Sequence, residues 1–172
     1  MAGKLVQVAT NTVSSAVSSI NLSGIDDNST YLFTATNTDV SVDNSNILLR
    51  VIKASDSSAD TTSNYDNAYK NLSAGFSFSN QSNINMSSFQ FLGGSGTGTN
   101  ESGVAILYLY NWFNSSEYSF MTWESALYNQ TPALFGASGG QVHTVAQSNN
   151  GIQIFMSSGN ITSGTFTLYK VV

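Results

Sequence analysis

The segment Gly136-Ala137-Ser138-Gly139-Gly140 satisfies the G-x-S-x-G pattern by which hydrolases present a nucleophilic serine on a sharp strand-to-helix turn. That chemistry needs a helix after the serine, and a histidine and an acid brought in from elsewhere in the chain. No helical periodicity follows residue 140, and the one histidine, His143, lies five residues beyond Ser138. The segment therefore reads as a glycine-rich loop. His143 alternates with Val142 and Val145 in a strand expected over Gln141–Ala146, and without a second histidine or any cysteine it lacks the partners of a zinc site. A plain strand residue, at the surface or satisfied inside, is the expected reading.

The other candidates for chemistry are weaker. Gly93-Gly94-Ser95-Gly96-Thr97-Gly98 has the glycine content of a phosphate cradle but not its lysine or its strand–loop–helix setting, so a flexible loop is expected. A glycosidase acid and base would have to be drawn from Asp56, Asp60, Glu117 and Glu124, and nothing in their spacing sets any two at a catalytic separation. Asp39 and Asp43 offer oxygen ligands for a weak calcium site without the spacing of an EF-hand loop. Asp and Asn are ordinary turn residues, and solvated loop carboxylates are the default. No catalytic residue, metal ligand or cofactor is assigned, and no enzymatic activity is expected.

Aromatic side chains supply the strongest local signal. Tyr110, Trp112, Phe113, Tyr118, Phe120 and Trp123 crowd two strands and the turn between them. Exposed, they form a candidate contact surface for another subunit or for stacking on sugar rings; buried, they are core. Subunit contact is the preferred role for any that reach the surface.

Composition limits what such residues can serve. The chain has 172 residues, of which 9% are charged and 41% hydrophobic, so its polarity rests on Ser, Thr and Asn. That size suits one domain over residues 1–172. A net charge of −5, with Lys4, Arg50, Lys53, Lys70 and Lys170 scattered, argues against binding nucleic acid through its phosphates. The N-terminal segment lacks the apolar run of a signal peptide, and no stretch has the length of a membrane span, so folding in a cytoplasm without a membrane partner is expected. Asn-x-Ser/Thr triplets such as Asn21-Leu22-Ser23 follow from the abundance of these residues, without implying glycosylation.

Strand patterns recur throughout. Thr30–Thr36 alternates, with Tyr31, Phe33 and Ala35 on one face, threonines on the other and Leu32 as the exception. Asn46–Lys53 is apolar on both sides, as a central strand would be. In Gly103–Phe113, Val104, Ile106, Tyr108, Tyr110 and Trp112 face one way and Ala105, Leu107, Leu109 and Phe113 the other, so both faces need cover, from a second sheet and from another subunit. Further strands are expected at Leu5–Ala9, Ala16–Leu22, Ala74–Ser79, Phe89–Leu92 and Tyr118–Trp123, with one short helix at Asn67–Leu72 and loops at 54–64, 93–103 and 136–140. A closing hairpin should turn at Ser157–Asn160, with Ile152, Ile154 and Met156 in one inward row and Phe166 and Leu168 in another. Many short strands, polar loops and a single proline describe an antiparallel β-sandwich, most simply a jelly roll, although an immunoglobulin-like sandwich shares this pattern.

Two terminal segments also have a familial look. Ser23-Gly24-Ile25-Asp26 leading into an aromatic strand, and Met156-Ser157-Ser158-Gly159-Asn160-Ile161 followed by Ser163-Gly164-Thr165 and Leu168-Tyr169, resemble a family of small virion structural proteins of tailed bacteriophages, common among marine and cyanobacterial phages. Lys170 stands where that pattern has glycine, and the middle of the chain carries none of the motif. The resemblance implies a virion protein assembled in the host cytoplasm, most simply a capsid decoration protein that cements the shell, with a tail or head-fibre component as the alternative. It also implies a homotrimer that contacts the major capsid protein or another virion protein, and no cofactor. A carbohydrate-binding β-sandwich module is the rival from a different class.

Overall fold

The computed structural model describes residues 3–75, 78–129, 131 and 133–172. Twelve strands account for the regular structure of these residues: β1 (Leu5–Val13), β2 (Ser19–Ser23), β3 (Tyr31–Val40), β4 (Ser45–Lys53), β5 (Tyr65–Ser73), β6 (Ser79–Met86), β7 (Phe89–Ser95), β8 (Gly103–Tyr110), β9 (Ser119–Tyr128), β10 (Leu134–His143), β11 (Asn149–Met156) and β12 (Ile161–Val171). All pairings are antiparallel.

The pairing order shows how the chain is wound. β1 pairs with β12, β2 with β11, β3 with β8 and β4 with β7, so the first part of the chain lies against the last as one long ribbon. Cross-pairing of β12 with β3 and of β11 with β4 rolls that ribbon into two sheets, β1-β12-β3-β8 and β2-β11-β4-β7. This is jelly-roll connectivity. β9, β10, β5 and β6 then continue the first sheet past β8, giving eight strands against four. The larger sheet thus overhangs β7, the edge of the smaller one.

Alternation places the core between the sheets. Tyr31, Phe33 and Ala35 of β3, Leu107 and Leu109 of β8, and Phe166 and Leu168 of β12 face Ile20, Leu22, Leu49, Val51, Ile152, Ile154, Phe89 and Phe91, all buried. Phe33 meets Phe91 edge-on across the sheets, with ring centroids 5.8 Å apart at 82°. Each such ring contributes about 1.5–3 kcal/mol by leaving water.

Several expectations are corrected by this topology. Asn67–Leu72 is the middle of β5 and not a helix, because both neighbours, β10 and β6, take up its backbone groups. Residues 136–140 lie inside β10 and not in a loop. There the glycines permit close pairing: a Cβ on Gly136 would strike the Ser125 carbonyl, and one on Gly139 would strike Ala68 O and Tyr69. β11 and β12 do not form a hairpin within one sheet; the turn at 157–160, with Gly159 at φ 74°, carries the chain from the small sheet to the large one. The inward rows of Ile152, Ile154 and Met156 and of Phe166 and Leu168 are as expected. Of the strand expected at Ala74–Ser79, residues 76 and 77 lie outside the described residues, and β5 and β6 flank them.

The two segments that carry the phage-protein resemblance meet in space. Gly24 and Ile25 both donate backbone N–H groups to Asn150 O, while the Tyr31 hydroxyl donates to Asp26 and to Asp27. Lys170 reaches the same pair, at 2.5 Å from Asp27 Oδ2 and 3.4 Å from Asp26 Oδ1.

Candidate functional site

The outer face of the eight-stranded sheet is where strand alternation leaves apolar side chains without cover. In β8 the outward residues are Val104, Ile106 and Tyr108, exposed by 45, 50 and 42%. The register runs their rows across the whole sheet: Thr10, Thr167, Thr34, Ile106, Glu124, Ser138 and Lys70 lie side by side, and Tyr110, Phe120, Val142 and Asp66 form another row.

The two halves of this face differ in chemistry. Over β1, β12 and β3 it is a lattice of threonines, in which the Thr10 and Thr167 hydroxyls bond at 2.9 Å. Over β8, β9, β10 and β5 the floor is built of small residues, Ala126, Ser138, Gly140 and Ala68, between walls of Leu72, Val104 and Ile106 on one side and Phe120 and Ile84 on the other. The result is a shallow trough of contiguous grooves that bears few charges, chiefly Glu124 and Lys70 with Asp66 at one end.

The aromatic residues singled out from the sequence divide between this face and the core. Tyr110 and Phe120 are cross-strand partners on the outer face, and Tyr110 stacks on Tyr108 with centroids 6.4 Å apart. Tyr118 is exposed beside β9, and Phe113 is half-buried against the core. Trp112 and Trp123 are withdrawn from any contact surface, being 0 and 3% exposed. For Trp112 the cause is local: β8 ends at Tyr110, and Asn111 at φ 56° breaks the alternation, turning the indole inward to donate to Gly151 O at 3.1 Å. Trp123 shares the inward row of Met121 and packs on Tyr69. Leu72 and Ile84 escaped sequence reasoning because β5 read as a helix and the polar β6 gave no apolar alternation.

The candidates for catalysis are dispersed. Ser138 lies on the outer face and His143 on the inner face of the same strand, so they cannot act together. His143 is fully buried, with Nε2 3.1 Å from Asp60 Oδ2. Burial pushes the imidazole below its ordinary pKa against the pull of Asp60. Burial would raise the Asp60 carboxyl, but hydrogen bonds from the Thr62 hydroxyl and amide, with His143, hold it below the usual range. Asp56 pairs with Lys53 at 2.9 Å, which draws its carboxyl down to about 2, and Glu117 and Glu124 lie elsewhere, in a turn and on the outer face. Asp39 accepts from Ser163 Oγ and Asp43 from Thr97 N–H. Among the described residues, no three His, Cys, Asp or Glu side chains gather to hold a metal.

No family model matches the sequence, and no curated protein matches it. Among solved structures, the chain is similar to a mutant of the GH43 protein BlXynB from Bacillus licheniformis at 10% identity and TM-score 0.35, over 90% of this chain and 32% of that one. It is similar to a heptameric SAP-like pentraxin from Limulus polyphemus at 8% identity and TM-score 0.30, over 96% and 70% of the two chains. It is also similar to the infectious bursal disease virus VP2 subviral particle at 10% identity and TM-score 0.15, over 99% and 41%. Likeness at this level does not extend to function, and the fold rests on the strand pairing itself.

Proposed function

We propose that this chain is a non-enzymatic structural subunit of a phage particle, a capsid decoration protein that docks the outer face of its eight-stranded sheet on the shell protein. The observation that carries the reading is the trough over β8, β9, β10 and β5, where Val104, Ile106, Tyr108 and Phe120 stand 42–50% exposed. A contiguous apolar face of this kind is costly in water and is covered on assembly. The paired terminal segments, whose sequence resembles that of phage virion proteins, support the same reading. A homotrimer would leave the face available to the shell while closing the contacts between copies by symmetry.

Quantitative mass spectrometry of the source particle tests it. About one copy per major capsid protein is the expected result for shell decoration, and Ile106→Asp or Phe120→Asp should release the protein from the shell without changing its melting temperature. A few copies per particle would move the subunit to the tail or a fibre. Absence from the particle overturns the virion reading. Stacking of sugars on Trp112 and Trp123 has no support, since both indoles are enclosed.

A further inference from the structure

Beside the overhang of the large sheet beyond β7 lies a second, chemically different feature, open to solvent. A cleft of about 380 Å³ lies between the four-stranded sheet, at Asn46 of β4 and at Gln90 and Gly93 of its edge strand β7, and the overhanging strands, at Tyr69, Asn71 and Gln81. Asn129 lines it as well. None of its lining side chains is charged.

The cleft is bounded by two tethers between the sheets. At one end the Gln141 carboxamide accepts from Gln90 N–H at 3.2 Å and donates to Gln90 O at 2.8 Å, standing in for a neighbouring strand. At the other, Ser95 bridges to Asn129. A Cβ at Gly93 would lie 2.6 Å from Gln90 Nε2 and force that carboxamide to move. A peptide strand adding to the β7 edge would find the Gln90 N–H and C=O already taken.

The carboxamides retain bonding capacity toward the cleft. Asn46 Oδ1 accepts from Gly94 N–H and Asn129 Oδ1 from Ala133 N–H, which leaves their NH₂ groups as donors. Asn71 donates to Ser79 Oγ, which leaves its oxygen as an acceptor. Gln81, Gln90 and the Tyr69 hydroxyl make no side-chain hydrogen bond among the described residues. Amides that donate and accept from one group match ring hydroxyls, which do the same, and the Tyr69 ring offers a face for C–H groups. Without a lysine or arginine, the cleft has nothing to pair with a carboxylate, sulfate or phosphate.

We propose that this carboxamide-lined cleft binds an uncharged sugar, of a size from one to two rings. The volume lies in the lower part of the range for small-molecule sites. This assignment is independent of the docking face and of the virion reading, since it uses the opposite side of the overhang.

The test is NMR observation of Asn and Gln side-chain NH₂ signals on the full chain, titrated with maltose, cellobiose, lactose and N,N′-diacetylchitobiose, and with digalacturonate as the charged control. One neutral disaccharide should give saturable shifts at Gln81, Gln90 and Asn129. Its affinity should fall about tenfold or more in Gln81→Ala, on the exposed edge strand, and in Gly93→Ala, with melting temperatures unchanged. Absence of shifts from every neutral sugar up to about 10 mM, beyond the millimolar range of weak binding, overturns the proposal. So does binding that survives both variants, or a stronger response to digalacturonate.

Discussion

His143 Nε2 lies 3.1 Å from Asp60 Oδ2 with the imidazole fully buried, while His143 Nδ1 has no hydrogen-bond partner among the described residues. The neutral ring with its proton on Nε2 satisfies this arrangement. A second proton, on Nδ1, would be a buried donor with nothing to receive it.

Stability should therefore fall on the acid side of neutrality. The His143 pKa is depressed in the native state, so its contribution is complete above the unfolded value of about 6.5 and is lost as pH drops below it. The slope there should approach about 1.4 kcal/mol per pH unit, the limit for one proton. Asp60 is also held low, so its contribution, complete above about 3.9, disappears further down as pH falls through its native pKa. Urea unfolding at pH 5 and 7.5 measures the first step. His143→Asn should remove it, because His143 is the single histidine.

Trp112→Ala should cost about 3–5 kcal/mol, since it empties a fully buried indole site and leaves Gly151 O without its donor. Phe120→Ala, on the outer face, should stay within about 0.5 kcal/mol of the parent. Denaturant midpoints of the two variants, measured together, separate core from contact surface.

Adjacent glycines of β10 should respond oppositely. Gly139→Ala drives a methyl into the backbone of β5 at Ala68 and Tyr69, and should cost about 2 kcal/mol or more. Gly140→Ala meets no atom within 4 Å and should lie within about 0.5 kcal/mol of the parent. Thermal melts of both variants check the register of β5 against β10.

Gln141→Ala should loosen the β7 edge by removing both bonds to Gln90, at a cost of about 1–3 kcal/mol. Hydrogen exchange at the Gln90 amide should rise by a larger factor than at the Leu49 amide of the interior strand β4. Equal changes would mean that Gln141 acts on global stability alone.

Alternation made much of this fold legible. Tyr31, Phe33 and Ala35 face inward as their spacing requires, and the doubly apolar run from Val104 to Tyr110 correctly signalled a strand with an uncovered outer face. Parity fails where the backbone changes hand, as at Asn111, and this displaced Trp112 from the surface to the core. β6, Ser79-Asn80-Gln81-Ser82-Asn83-Ile84-Asn85-Met86, is an edge strand exposed along its whole length, so selection for burial left no alternation to read. The carboxamide cleft depends on residues of β4, β5, β6 and β7, with Asn129 beyond the end of β9, brought together by the overhang, which one-dimensional spacing does not encode.

The pairing of β1 with β12 sets a schedule for the newborn chain. Leu5–Val13 leaves the ribosome long before its ladder partner, Ile161–Val171, and β2 likewise waits for β11. Sequence neighbours such as β5 with β6 and β8 with β9 and β10 can pair as they emerge, but the two sheets close over the core only once β11 and β12 are made, at the slow pace of folds built from non-local contacts.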